Sequence, residues 1–288
     1  MEQPQHHIVA CLDGSMISDA VCDAAHWAGT RLQAPIQLLH VVPHMRAQQT
    51  DMTGNLHFGE NASLLADLAD LDEQRSKIAL KQGRLLLDAA QRYLTQQQPP
   101  QTVTEVLRTG YFAEQLQHIE PQARLIVLGK QGHDSEHQLD AHIGSELEHV
   151  IRRLHRPILI TSAGFQAPTS ALIAFDGSNI MQNAIQLIAS SPLLRDLPLH
   201  VVMVNAATVD AQAQMDWVKQ ALSSTHAEVH TAIRQGDVEQ TLHAYQAQHQ
   251  LDLLVMGAYG HSRLRQFFVG STTTKMLVRS QGSVLLLR

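Results

Sequence analysis

The chain has 288 residues, of which 44% are hydrophobic, 17% charged and only 4% aromatic, and its formal net charge is −6. That length suits two ordinary domains, each able to bury a core. A net-acidic chain has no global attraction for DNA, RNA or anionic membrane, so neither nucleic acid nor membrane is expected as a partner. There is no run of about 18 apolar residues of the kind that spans a bilayer. The opening MEQPQHHIVACLDGS has neither the basic nor the apolar part of a signal peptide, so a cytoplasmic location is expected. The two cysteines, Cys11 and Cys22, have no CxxC spacing and read as reduced thiols in a core.

Taken in order, the landmarks occur twice. An apolar run closes on Asp-Gly-Ser at 8–15 (IVACLDGS) and again at 172–178 (LIAFDGS). A second apolar run follows at 36–42 (IQLLHVV) and 199–204 (LHVVMV), ending 29 residues after Asp13 and 28 after Asp176. The third ends in a basic residue near a glycine, VTEVLRTG at 103–110 and VHTAIRQG at 229–236. The fourth is RLIVLGKQG at 124–132 and LDLLVMGAYG at 251–260. Gly-Ser then opens a helix at Gly144-Ser145 and Gly270-Ser271, and a last apolar strand closes each half at 157–161 and 283–288. Short continuous apolar strands alternating with amphipathic helices predict a parallel sheet covered on both faces. The expected fold is therefore α/β, two tandem Rossmann-like domains at 1–162 and 168–288, joined by the turn-rich linker 162–168 (SAGFQAP).

The halves differ in length after strand two. From Val42 to Gly110 is 68 residues, whereas from Val204 to Gly236 is 32. The surplus, at about 43–72, predicts a long loop leading into a long helix that runs to about Gln97. Leu64, Leu68, Leu71, Ile78, Leu85, Ala89 and Tyr93 keep one helical face. The extra helix either packs on its own domain or forms a lid or partner-contacting arm, since loops this long are usually functional.

The second half carries the strongest chemical signal. Gly257 directly follows the strand DLLVM, Gly260 lies three residues on, and Gly270 directly precedes a helix. Glycine at a strand end lets backbone approach a ligand, and a helix N-terminus offers free N–H groups and a favourable dipole to an anion. Ser271, Thr272 and Thr273 place hydroxyls at the same end. His261, Arg263 and Arg265 lie between the glycines with no acid. Gly-Ser before a helix, or Asp-Gly-Ser after a strand, is alone an ordinary cap or turn. Their combination at this spacing points to phosphate.

The spacing G-x2-G-x9-G-S resembles the nucleotide-binding signature of the universal stress protein family, and the resemblance covers both halves. It implies a tandem member of UspA-like, adenine nucleotide α-hydrolase-like domains, each with strand order 3-2-1-4-5. It also implies ATP, with or without Mg2+, at the carboxyl ends of strands one and four of the second half, the switch point of an open sheet. By position, the contacts implied are Asp176, Gly177, Val204, Met256, Gly257, Gly260, Arg263, Gly270, Ser271 and Thr272. Since single-domain members dimerise through the fifth strand, the two fifth strands should pair within the chain, which also protects two sheet edges. Further homodimerisation is compatible with this.

The first copy departs from the pattern. Its glycines, Gly129, Gly132 and Gly144, are separated by two and eleven residues, and 133–143 holds Asp134, Glu136 and Asp140 with no Lys or Arg. A carboxylate beside a triphosphate costs on the order of 1 kcal/mol per close pair, and Glu146 stands at the helix start that phosphate would use. Lys130 alone still favours an anion. Little or no ATP is expected here. His133, His137, Asp140 and His142 could ligate zinc, but with 18 histidines such clusters arise by chance, and no metal site is assigned. His142-Ile143-Gly144 resembles the HIGH motif of class I tRNA synthetases, but no KMSKS-like partner follows.

No nucleophile–base pair is visible, so no catalytic residue is assigned and at most weak ATP hydrolysis is expected. The resulting expectation is a stress-response sensor or regulator binding ATP in its second half. The alternatives are a nucleotide-free partner-binding scaffold or a slow adenine-nucleotide hydrolase. An ATP pyrophosphatase would carry an SGGxDS loop where this chain has Asp-Gly-Ser.

Overall fold

The computed structural model describes residues 6–43, 60–130, 145–258, 271–280 and 282–288. The first half runs β1 (His7–Cys11), α1 (Ser18–Leu32), β2 (Ile36–Val42), α2 (Glu60–Thr95), β3 (Val103–Thr109), α3 (Phe112–Ile119), β4 (Ala123–Gly129), α4 (Ser145–Arg153) and β5 (Ile158–Thr161). The second repeats it as β6 (Ala171–Ala174), α5 (Asn179–Ser190), β7 (Leu199–Val204), α6 (Val209–Ser223), β8 (Val229–Arg234), α7 (Val238–His249), β9 (Leu253–Gly257), α8 (Ser271–Arg279) and β10 (Ser283–Leu287).

All ten strands form one sheet in the order β3-β2-β1-β4-β5-β10-β9-β6-β7-β8. Each half thus has the order 3-2-1-4-5 with every pair inside it parallel. The halves join where β10 pairs antiparallel with β5, Leu285 opposite Leu159. The two apolar fifth strands therefore protect each other within one chain, and among the described residues β3 and β8 are the sheet edges.

Alternation along the strands sorts the core into two layers. Ile8, Ala10, Leu38, Ile173 and Leu285 pack with α1, α2, α5 and α6 on one face. Val9, Cys11, Leu39, Leu172 and Leu286 pack with α3, α4, α7 and α8 on the other. Both layers run through both halves, so burial is continuous across the β5–β10 seam. On the first face Arg31 of α1 donates to the carbonyls of Leu193 and Arg195 in a short 3-10 turn of the second half. Trp27 lies 6.1 Å from the linker's Phe165, centroid to centroid. Cys11 and Cys22 are free and buried. Burial raises both thiols, Cys22 up to about 12, which keeps them unreactive.

The long helix exists as expected, and the residues it buries lie about 100° around it from most of the apolar face named above. Gly83, Leu87, Ala90 and Leu94 are the buried positions of α2. Gly83 sits so close to His40 and Leu107 that any side chain there would collide with them. Of the apolar face named above, Tyr93 packs against the core and donates to Asp23 Oδ1 at 2.7 Å, whereas four of its leucine and isoleucine side chains point outward. Leu68, Leu71, Ile78 and Leu85 remain 40–58% exposed. The preceding segment 44–59 lies outside the described residues.

Candidate functional site

The sheet brings the carboxyl ends of β6 and β9 side by side, because β6 pairs with β7 on one edge and β9 on the other. The chain leaves β6 for α5 on one face, whereas β9 leads toward α8 on the opposite face. This is the crevice in which open α/β sheets hold ligands.

Asp176 follows β6 and shapes the rim. Its Oδ1 accepts the backbone N–H of Ser178 at 2.9 Å, an Asx-turn. Gly177 stands at φ +74, and a Cβ there would collide with Gln214 Oε1 of α6. The positive φ is what favours glycine, since the Gln214 amide ends a flexible side chain that can swing aside. Ser178 then caps α5, its Oγ accepting Met181 N–H at 3.3 Å. Gln214 is a rim residue that no motif announces; its place follows only from α6 lying over the turn.

Gly257 closes β9 beneath the first turn of α5. A Cβ there would lie 3.2 Å from Met181 Sδ and 3.7 Å from Ile180 Cγ2, so the small residue keeps the strand end open. Met256 is 6% exposed and packs in the core with α7 and α8, so only its backbone is placed to face a ligand. Val204 ends β7 and packs partly against the same layer. Ala258 is fully buried and donates its N–H to Leu287 O at 3.0 Å.

Ser271 and Thr272 form the first turn of α8. Thr273 does not join them as a ligand donor. It is 2% exposed, and its hydroxyl donates to Ala258 O at 3.3 Å, pinning α8 to the end of β9. Gly260, Arg263 and Gly270 lie outside the described residues, as do His261 and Arg265.

The first half reproduces the turn. Ser15 N–H donates to Asp13 Oδ1 at 3.0 Å, and Gly14 stands at φ +79. A Cβ on Gly14 would face Leu86 Cδ2 of α2 at 3.7 Å. After β4, however, Lys130 does not point to an anion site. Its Nζ donates to the carbonyls of Val278, at 2.9 Å, and Ser280. A cation there satisfies carbonyls that the helix end leaves unpaired. The desolvation that comes with this position lowers its pKa. Arg279 of the same turn pairs with the buried Glu239 of α7 at 2.5 Å. The last turn of α8 is thereby tied to both halves. His133, His137, Asp140 and His142 lie outside the described residues. Among the described residues no group of three or more His, Cys, Asp or Glu could hold a metal ion, and no helix is long and apolar enough to cross a membrane.

Comparison with known proteins agrees with the geometry. The family model described as "Universal stress protein family" matches twice, at 5–162 and 169–288. Universal stress protein Slr1230 of Synechocystis sp. is 32% identical over 288 residues, covering 98% of this chain and 99% of the relative. A universal stress protein from Archaeoglobus fulgidus DSM 4304 superposes with a TM-score of 0.64 at 16% identity, covering 98% of this chain and 96% of its own. A functionally unknown protein from Pseudomonas aeruginosa PAO1 does so with a TM-score of 0.60 at 15% identity, covering 98% and 92%.

Proposed function

The chain belongs to the universal stress protein family, as two tandem copies, and on that premise we propose that it binds ATP in the second copy as a cytoplasmic stress-response sensor or regulator. The domains are taken as 1–162 and 168–288. The observation that carries the reading is the placement of the glycine motif. Gly257 ends β9 beside β6 at the switch point, and α8 begins at Ser271, directly after the last glycine of the G-x2-G-x9-G-S spacing. The backbone of Gly257 and the free N–H groups of α8 would hold ribose and phosphates. Asp176 and the end of β7 at Val204 would border the base and ribose. The two arginines between the glycines and the absence of acid there add charge complementarity.

Phosphate binding at the Gly257–Gly270 motif would be the signal passed to partners. No nucleophile–base pair is assigned, so hydrolysis is slow or absent. The alternative, a partner-binding scaffold without nucleotide, is favoured by the local use of Asp176 in its own turn and of Thr273 against Ala258.

Native mass spectrometry of the purified full chain, followed by calorimetry with ATP and Mg2+, tests this directly. One nucleotide per chain is expected. Gly270→Val should remove it while leaving the melting of the first half unchanged. Retained affinity in that variant would place the site elsewhere, and absence of nucleotide in the unaltered protein would favour the scaffold.

A further inference from the structure

Helix α2 is 36 residues long, about 54 Å at 1.5 Å per residue. Among its described side chains the buried positions begin at Gly83, and residues 67–78 are almost all exposed. Along the outer face Leu68, Leu71, Ile78 and Leu85 are exposed at 40%, 48%, 58% and 56%. With Arg75 and Gln82 between them, the spacing is 3-4-3-4-3, the seam of a coiled coil rather than the wider stripe of a core helix. This seam lies about 100° around α2 from Gly83, Leu87, Ala90 and Leu94, and its four apolar side chains stay outside the buried core.

The charges on the same stretch are segregated. Asp67, Asp70, Asp72 and Glu73 occupy 67–73 with no Lys or Arg. Arg75, Lys77, Lys81 and Arg84 occupy 74–87 with no acid. The ion pairs within the helix, Arg75–Asp72 at 3.9 Å and Lys77–Glu73 at 2.7 Å, use only residues near the junction. A segment acidic at one end and basic at the other is complementary to its own antiparallel copy. With Leu68 opposite the partner copy's Leu85, the acidic block 67–73 of one chain lies beside the basic block 80–86 of the other, twice over. Such a two-fold pairing is isologous and closes on itself.

We propose that the outer face of α2 is a homodimerisation surface, in which a second copy of this chain packs its α2 antiparallel across the Leu68–Leu71–Ile78–Leu85 seam. The charged flanks set the direction, since a parallel pairing would put acid against acid and base against base. The contact uses one short helix pair per chain, so its strength should fall with added salt.

The test is sedimentation equilibrium of the full chain across concentration, with charge reversals at exposed positions that leave the fold intact. The unaltered protein should associate to a dimer. A variant with Asp67→Lys, Asp70→Lys and Asp72→Lys and a second with Lys81→Glu and Arg84→Glu should each be monomeric. Mixed together, the two should restore association as a heterodimer, which a merely structural disturbance would not do. Leu71→Glu with Ile78→Glu should abolish association while circular dichroism stays unchanged. A monomer at every concentration, as expected if residues 44–59 of the same chain cover the seam, overturns the proposal. So does a dimer that ignores the charge reversals.

Discussion

Asp13 and Asp176 perform the same local task. Each accepts the N–H of a serine two residues on, at 3.0 and 2.9 Å, and each precedes a glycine at positive φ. What covers the two turns differs. Leu86 of α2 lies over the first turn, whereas the amide of Gln214 lies over the second. Beyond strand four the difference widens. Lys130 reaches across to the end of α8, while Ala258 at the matching place is buried and holds Thr273 at the start of the same helix. The first half has therefore turned its one remaining cation into a support for the second half's helix. Duplication preserved the scaffold in both halves and let one of them become a brace.

The sharpest way to break this comparison is to remove each aspartate in turn. Both substitutions, Asp13→Ala and Asp176→Ala, delete the same Asx hydrogen bond, worth about 1 kcal/mol. Both should lower the melting temperature by a similar few degrees, at roughly 2–4 °C per kcal/mol for a chain of this size. Their effects on ATP should part company. Asp176→Ala is expected to weaken binding about tenfold or more, ~1.4 kcal/mol, while Asp13→Ala leaves the affinity as it was. Equal losses by titration calorimetry would mean that the halves are not functionally distinct.

Lys130→Met sharpens the idea of the brace. The methionine keeps an apolar stem but forfeits two charge-assisted hydrogen bonds to Val278 and Ser280 carbonyls. Because the site is only half-buried, the cost should fall at the low end of such bonds, about 1.5 kcal/mol. Although Lys130 belongs to the first half, ATP affinity in the second should drop about threefold, roughly 0.7 kcal/mol, through a looser α8. Unchanged affinity alongside reduced stability would confine Lys130 to the interface between halves.

Much of the scaffold is legible in the sequence. Five landmarks in the same order, each an apolar run with a punctuating glycine, specify the alternation of strand and helix. The pairing of β5 with β10 follows from two apolar edges needing cover. The outward turn of Leu71 and Ile78 is not, because the apolar residues of α2 extend beyond one face and periodicity cannot say which of them meet the sheet. Nor could the fate of Lys130 be inferred, since its acceptors are backbone carbonyls 148 and 150 residues away and carbonyls leave no mark in a sequence. Thr273 looked like a third hydroxyl for phosphate until helix phase turned it inward to Ala258. At the candidate site, Asp176, Gly177 and Gly257 border the crevice between β6 and β9, while Gly260, Arg263 and Gly270 fall outside the described residues.

The smallest expected effect is proton-linked and again separates the halves. In the second half His200, His226 and His243 all have lowered pKa values, in each case chiefly because burial disfavours the charged ring. His200 is also pushed down by His230 and His249, whose rings lie 4.5 and 5.0 Å from its own, centroid to centroid. Arg279 and Lys130 act the same way on His243, against an opposing Glu239. With folded-state values below the unfolded 6.5, the native form binds fewer protons than the unfolded one. The neutral rings' advantage is therefore complete above about pH 6.5 and shrinks as pH falls through and below it. Melts between pH 7.5 and 5.5 should show stability declining by a modest amount, and hydrogen exchange should show α7 and β8 losing protection before α1 and β1 do. Replacing His200 by Phe keeps a ring against Tyr245 and His249 while removing one titrating group, and it should flatten the decline. An undiminished decline in that variant would move the proton-sensitive element away from the β7–β8–α7 cluster, and with it the claim that the second half is the pH-labile one at this surface.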